Sequence, residues 1–174
     1  TIAAAYIMNE MQLTDRLKSI YGVRFEKAKI KYTGLATPVP GEPEVLLQDE
    51  PTLDEINFLP SVNLIYNVTD KMNVRASFNK TLARPSFREK SSAFINDPIS
   101  GIFFIGNINT KQAEIFNYDL RWEYFMTPSE LMSVSLFYKD FTDHIEIVAF
   151  DVAPNQVTPR NVGSAKAYGT EIEF

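Results

Sequence analysis

The chain has 174 residues, of which 45% are hydrophobic and 13% aromatic. Its formal net charge of −5 argues against a nucleic-acid partner, and its lack of cysteine excludes disulfides and thiolate metal sites. No run of about 18 apolar residues is present, which excludes a transmembrane helix. A membrane-spanning strand is not excluded, because such a strand alternates between an apolar and a polar face.

The predicted strands come in pairs joined by short turns. The first pair turns at residues 14–16, the second at 67–73 and the third at 127–130, and a seventh strand closes the chain at 168–174. In each strand, apolar side chains occupy alternate positions, which is typical of a strand with two different faces. The clearest apolar face is formed by Phe116, Tyr118, Leu120, Trp122, Tyr124 and Met126.

The opposite faces of these strands carry charge. In a large barrel such a face lines the lumen, whereas in a soluble sandwich it meets water. The residues predicted to face the lumen are Arg24, Arg75, Asp119, Arg121, Glu123, Glu171 and Glu173. We expect them mainly to form ion pairs between neighbouring strands, although contact with a ligand or a plug is the functional alternative.

Long connections alternate with the short turns. Residues 33–57, 83–113 and 151–160 are predicted to be loops, and loops longer than about 15 residues are uncommon in compact domains. Outer-membrane barrels have this asymmetry, with short periplasmic turns and long extracellular loops. Tyr66, Trp122 and Tyr124 precede short turns, where an aromatic girdle would lie.

Several motifs resemble those of TonB-dependent outer-membrane receptors. TLARPSF at 81–87 resembles the strand-to-loop signature of that family, and residues 106–111, GNINTK, resemble the entry to its next strand. NYDL at 117–120, SLFYKD at 135–140 and YGTEIE at 168–173 follow in the family's order, so the resemblance extends over about residues 58–174. Two departures fall at the edge of a loop: Ile108 stands where the family favours Pro, and Gln112-Ala113 replaces Pro-Glu.

The resemblance implies an all-β antiparallel meander that forms about seven strands of a transmembrane barrel of about 22 strands with a plugged lumen. Residues 1–174 would then be a partial barrel, with the plug domain outside this chain and both ends falling within strand patterns. The implied function is active import of a scarce ligand, such as a siderophore or an oligosaccharide, across the bacterial outer membrane. The implied partners are membrane lipid, the ligand and, through the plug, the TonB complex. The alternatives are a soluble β-sandwich or barrel that binds a ligand, and a passive porin-like channel.

Four phenylalanines in the second long connection are the ligand-binding candidates: Phe87, Phe94, Phe103 and Phe104. Their rings could stack on a ligand, although we expect them to pin the loop to the barrel rim. The sequence predicts no catalytic site, metal site or cofactor. His144, with Asp140 and Glu146 nearby, is expected to lie at a solvated strand end.

Overall fold

A computed structural model describes residues 1–36, 45–127, 129–151 and 153–174. These residues form β-strands, turns and irregular segments, and contain no helix with the length and apolarity needed to cross a membrane. In chain order the strands are β1 (Ile2–Thr14), β2 (Leu17–Ala36), β3 (Val45–Thr69), β4 (Met72–Ala83), β5 (Phe94–Asp97), β6 (Ile102–Ile105), β7 (Ala113–Thr127), β8 (Glu130–Thr142), β9 (Ile145–Phe150), β10 (Ala153–Asn161) and β11 (Ser164–Glu173).

The main sheet has seven strands in the order β1-β2-β3-β4-β7-β8-β11. All its neighbours are antiparallel, and each strand pairs with the next wall strand along the chain, so the predicted meander is confirmed. The strands run further into the second turn than expected, since Thr69 pairs with Met72. The sheet is open, with β1 and β11 at its edges.

A smaller sheet of four strands, in the order β5-β6-β10-β9, is built from the segments that follow β4 and β8. The prediction that 83–113 and 151–160 lack secondary structure is therefore wrong. The strands β5 and β6 have four residues each, too few for a clear alternation. The pairing of β6 with β10 is parallel and joins residues far apart in the chain, so no local pattern indicates it.

The prediction of a loop at 33–57 is also wrong for its described residues. Here β2 and β3 continue as a paired ribbon out to the pair of Ala36 with Val45, and the rest of the predicted loop, 37–44, lies outside the described residues. Charged residues of this ribbon form cross-strand ion pairs, in which Asp54 contacts both Lys27 and Lys29. Pro51 is accommodated next to a register shift, at which Thr52 is the extra residue of a β-bulge.

The main sheet has two chemically different faces. The apolar face carries one lateral row of side chains contributed by six strands: Tyr21, Val62, Phe78, Tyr118, Tyr138 and Tyr168. Large side chains on this face, such as Leu120 and Leu136, remain nearly half exposed, and the described residues supply no second layer to cover them. The other face, called the polar face below, carries all seven residues predicted to face the lumen.

Candidate functional site

The centre of the polar face is organised around the carboxylate of Glu123. Arg75 on β4 and Arg121 on β7 lie directly opposite each other in the ladder, where like charges repel. The Nε atom of Arg75 donates to Oε2 of Glu123 at 2.7 Å, and the Nε atom of Arg121 donates to Oε1 at 3.0 Å. Glu123 is buried between the two guanidinium groups, so its charge offsets the repulsion between them.

The network also crosses a whole strand. Arg121 reaches over β8, where its Nη2 atom donates to Glu173 Oε2 on β11 at 2.8 Å and its Nη1 atom donates to Ser135 Oγ at 3.2 Å. Ser133 Oγ donates to the same Glu173 oxygen at 3.2 Å. The expected ion pairing is present and extends beyond neighbouring strands, because the serines of β8 are small enough for a long side chain to pass over them.

A second carboxylate lies between two arginines near the end of the polar face that is away from the short turns, called the upper end below. Glu26 on β2 accepts from Arg24 Nη2 at 3.0 Å and from Arg84 Nη2 at 2.9 Å. In the sequence Arg84 stands out only as part of the loop signature, whereas in the structure its side chain reaches back over the sheet from its place just after β4. The remaining predicted lumen residues are more exposed: Asp119 accepts from Ser77 at 3.1 Å, and Glu171 lies opposite Ser135 on β8.

Phe137 is one of two aromatic rings on the polar face of β8, the other being Phe141 near the end of the strand. Phe137 lies between Asp119 and Gly169 in the ladder, and its ring covers the position where a side chain of residue 169 would stand. Glycine at 169 therefore gives the ring a flat site on the neighbouring strand. Lys139 and Glu171 help to line a shallow depression beside this ring.

The four phenylalanine candidates do not form one cluster. Phe94 and Phe103 lie on neighbouring strands of the small sheet, with ring centroids 5.1 Å apart. Phe87 lies in a turn and is 83% exposed, whereas Phe104 is only 8% exposed and the guanidinium of Arg88 stands 4.1 Å from its ring centroid. Phe104 thus packs as a structural residue. Ile95, Ile99 and Ile102, in the same hairpin, are exposed, and sequence analysis did not single them out.

The turn between β5 and β6 is held by its own side chains. Asp97 accepts hydrogen bonds from Ser100 Oγ at 2.7 Å and from the backbone N–H of Ile99 at 3.0 Å. These bonds hold the pKa of Asp97 below its usual range. Gly101 follows with a φ of 69°, in the left-handed region that favours glycine.

Asparagine side chains join the connection that leads into β7 to the connection that follows β8. Asn161 accepts from the backbone N–H of Lys111 at 2.8 Å, and its amide donates back to the Lys111 carbonyl at 3.1 Å and to the Asp143 carbonyl at 2.6 Å. Asn107 donates to the carbonyl of Pro159 at 3.1 Å. The two long connections are therefore fastened to each other, an arrangement that only the parallel pairing of β6 with β10 reveals.

His144 Nε2 and Glu146 Oε1 lie 2.7 Å apart and share a hydrogen bond. Asp143 has a left-handed backbone with a φ of 55°, which interrupts the strand alternation that would have placed Asp140 beside them. Across the described ranges, no three His, Asp or Glu side chains are grouped to hold a metal ion.

The family model described as TonB dependent receptor-like, beta-barrel matches residues 1–174. The chain belongs to this family of Gram-negative outer-membrane receptors. Its membership agrees with the all-β antiparallel sheet and with the exposed apolar face, and it argues against the soluble binding module. None of the curated proteins matches the chain.

Solved structures of TonB-dependent receptors and transporters share the fold. The siderophore receptor PirA from Pseudomonas aeruginosa is 16% identical, with a TM-score of 0.70 over 98% of this chain and 27% of its own. The Serratia marcescens hemophore receptor HasR, solved with its hemophore HasA and heme, is 10% identical, with a TM-score of 0.73 over 98% of this chain and 31% of its own. The copper transporter OprC is 16% identical, with a TM-score of 0.71 over 98% of this chain and 26% of its own. The chain thus spans less than a third of each neighbour, and these neighbours are receptors and transporters rather than enzymes.

Proposed function

We propose that this chain is part of the barrel wall of an outer-membrane receptor that imports a scarce ligand with energy from the TonB complex. The observation that carries the proposal is the two-faced main sheet in a chain that matches the TonB-dependent receptor barrel along its whole length. Energy coupling would act through the plug domain of the full-length receptor.

The apolar face has the height of a membrane. At a rise of about 3.4 Å per residue, its stretch at 116–126 is about 34 Å long, or about 26 Å along the membrane normal at a strand tilt of about 40°. The apolar band of outer-membrane barrels is about 25 Å tall. Charged residues first appear on this face beyond the aromatic row, at Lys80, Asp140 and Lys166. The apolar face is therefore assigned to lipid, and the polar face to the lumen.

Short turns are periplasmic in outer-membrane barrels, so the small sheet, which follows β4 and β8 at the opposite end of the wall, would lie at the extracellular mouth. Phe94, Phe103 and the exposed Phe87 are then the aromatic surfaces available to a ligand. The neighbours include receptors and transporters for siderophores, heme and copper, so a ferric chelate is the first ligand class to test and an oligosaccharide the second.

Uptake by cells tests the function. Accumulation of radioactive iron from a panel of ferric siderophores, and of labelled oligosaccharides, would be measured in cells with and without the full-length receptor, in strains that contain or lack TonB. Loss of uptake of one ligand in both deletions supports the proposal. Uptake that needs the receptor but not TonB would show a passive porin-like channel, and uptake that is unchanged without the receptor would refute the proposal.

The loop site has a matched control. Phe94→Ala and Phe103→Ala would each raise the half-saturation concentration for the transported ligand, because a stacking surface at the mouth is removed. Phe58→Ala removes the same ring from the apolar face, where it contacts Phe25 edge-on, and would leave that concentration unchanged. Equal effects at all three positions would contradict a loop site.

A further inference from the structure

The connection formed by residues 84–112 covers the polar face of the β2–β3 ribbon. On that face Glu26, Ala28, Leu53 and Asn57 are all buried. At the same height on the apolar face, Phe58 and Ile56 remain exposed. The connection therefore folds over one side of the wall only, the side assigned to the lumen.

Both ends of the connection are attached to this ribbon by side chains. At its start, Arg84 donates to Glu26 at 2.9 Å. At its end, Gln112 and Asn57 exchange amide hydrogen bonds in both directions, one of them with 3.4 Å between Asn57 Nδ2 and Gln112 Oε1. These contacts hold the ends but do not fix the residues between them.

Lys90 makes the contact in the middle. It is only 3% exposed, and its Nζ atom donates to the backbone carbonyl of Thr52 and, at 2.8 Å, to the carbonyl of Ile108. The carbonyl of Thr52 is available because Thr52 is the unpaired residue of the β-bulge. One ammonium group thus joins three pieces of chain: the bulge of β3, the turn that carries Lys90 and the turn at 107–110.

A buried lysine is a costly way to fill space under the connection. Burying an ammonium group without a carboxylate partner costs free energy, and a methionine would fill the same volume without that cost. Among the described residues, no carboxylate lies within ion-pair distance of Lys90. Burial lowers the pKa of Lys90, and only the more distant charge of Glu55 acts in the opposite direction. The gain from the charge lies in two charge-assisted hydrogen bonds, from one ammonium group to the backbone carbonyls of Thr52 and Ile108.

We infer that Lys90 is a positioning residue, whose ammonium group locks the 84–112 connection onto the polar face and so holds Phe94 and Phe103 in place. The lock itself depends only on the contacts described above. Its consequence for ligand binding rests on the proposed function.

The test separates the charge of Lys90 from its volume in the full-length receptor in detergent micelles. Lys90→Met removes the charge. Lys90→Cys, alkylated in urea before refolding, carries either an aminoethyl group, which restores an amine at the length of lysine, or an uncharged propyl group of similar size. These 174 residues contain no cysteine, and any cysteine elsewhere in the full-length receptor would first be replaced by serine. The readout is amide hydrogen exchange across residues 87–112.

Lys90→Met and the propyl form would accelerate exchange in this segment about 10- to 100-fold, the effect of losing charge-assisted hydrogen bonds. The aminoethyl form would return the exchange rate to within about threefold of that of the wild-type receptor. Lys111→Met removes an exposed lysine from the same connection and would change nothing. Unchanged protection of 116–126 in every variant would show that the wall is intact. Recovery by the propyl form as complete as that by the aminoethyl form, or normal exchange in Lys90→Met, would overturn the inference.

The second readout is uptake of whichever ferric siderophore the uptake panel identifies as the transported ligand. Lys90→Met would raise the half-saturation concentration several-fold with little change in maximal rate, because the aromatic surfaces are displaced while the transport path is intact. An unchanged half-saturation concentration despite a released connection would refute the positioning role. If the receptor carried no chelate at all, the proposed function would fail while the exchange results still decided the lock.

Discussion

The contact between Phe137 and Gly169 makes a prediction whose sign depends on a second residue. A Cβ atom added to Gly169 would lie 2.7 Å from Cζ and 2.8 Å from Cε1 of the Phe137 ring. Carbon atoms pack at about 3.5–4.0 Å, so Gly169→Ala would force the ring away from β11. Gly169 does not have the positive φ that only glycine adopts readily, so the ring, rather than backbone strain, causes the conflict.

The magnitude follows from two opposing terms. Forcing an extra methyl group into an occupied site costs about 1–3 kcal/mol. Alanine is better than glycine within a strand by about 0.5–1 kcal/mol. In the wild-type receptor the net effect of Gly169→Ala is therefore a loss of up to about 2.5 kcal/mol, whereas in a Phe137→Ala background only the gain of about 0.5–1 kcal/mol remains.

A double-mutant cycle measures this reversal. The free energy of unfolding of the full-length receptor would be determined by denaturant titration in lipid vesicles for the wild type, both single variants and the double variant. Gly169→Ala is expected to destabilise the wild type and to stabilise the Phe137→Ala variant. The same sign in both backgrounds would refute the explanation of why glycine stands at 169.

Three further predictions concern the faces, the network and the small sheet. Ala76→Arg should cost about 2–4 kcal/mol for folding into a bilayer, whereas its neighbour Ser77→Arg, on the polar face, should cost less than about 1 kcal/mol; equal costs would contradict the assignment of lipid and lumen. Glu123→Gln should cost about 1–3 kcal/mol in denaturant titration, because two guanidinium groups lose a shared charge, with the exposed Glu171→Gln as a near-neutral control. Gly106→Ala would place a methyl carbon 2.8 Å from the backbone carbonyl oxygen of Arg88, which leaves no room for it. The rate of amide hydrogen exchange in the small sheet should therefore rise, while the rate in the wall strands stays unchanged.

The wall could be predicted from sequence because each wall strand carries its own evidence. In β7 and β8 the alternation of apolar and polar residues runs over many residues, because a barrel wall needs an apolar face toward lipid and a polar face toward the lumen. The β2–β3 ribbon lacked that signal above the aromatic row, since lysines and aspartates pair there across the strands on the same face that is apolar lower down. That β2 and β3 extend into this region could be recognised only from the pairing of their residues in the structure.

The site was less predictable than the wall, for a different reason. The charged residues of the polar face were identifiable by their parity in each strand, but the partner of Arg121 lies two strands away and depends on serines in between. Lys90 gave no sequence signal, because its acceptors are backbone carbonyls. One is exposed by a bulge and the other by a turn, and neither depends on a side chain that a pattern could mark.

The polar face uses the same arrangement twice, with one carboxylate between two arginines. At Glu123 it joins neighbouring wall strands, and at Glu26 it joins the wall to the connection above it. At Glu123 the charges balance once Glu173 is counted, whereas at Glu26 two guanidinium groups share a single carboxylate. In both cases every guanidinium group is bound by a carboxylate of the protein, so these charges mainly stabilise the surface. Selection of a ligand by the described residues would then fall to the exposed aromatic and aliphatic side chains of the small sheet. For that reason, the mutations that change which ligand is taken up should lie in that sheet, while those in the arginine networks should change stability.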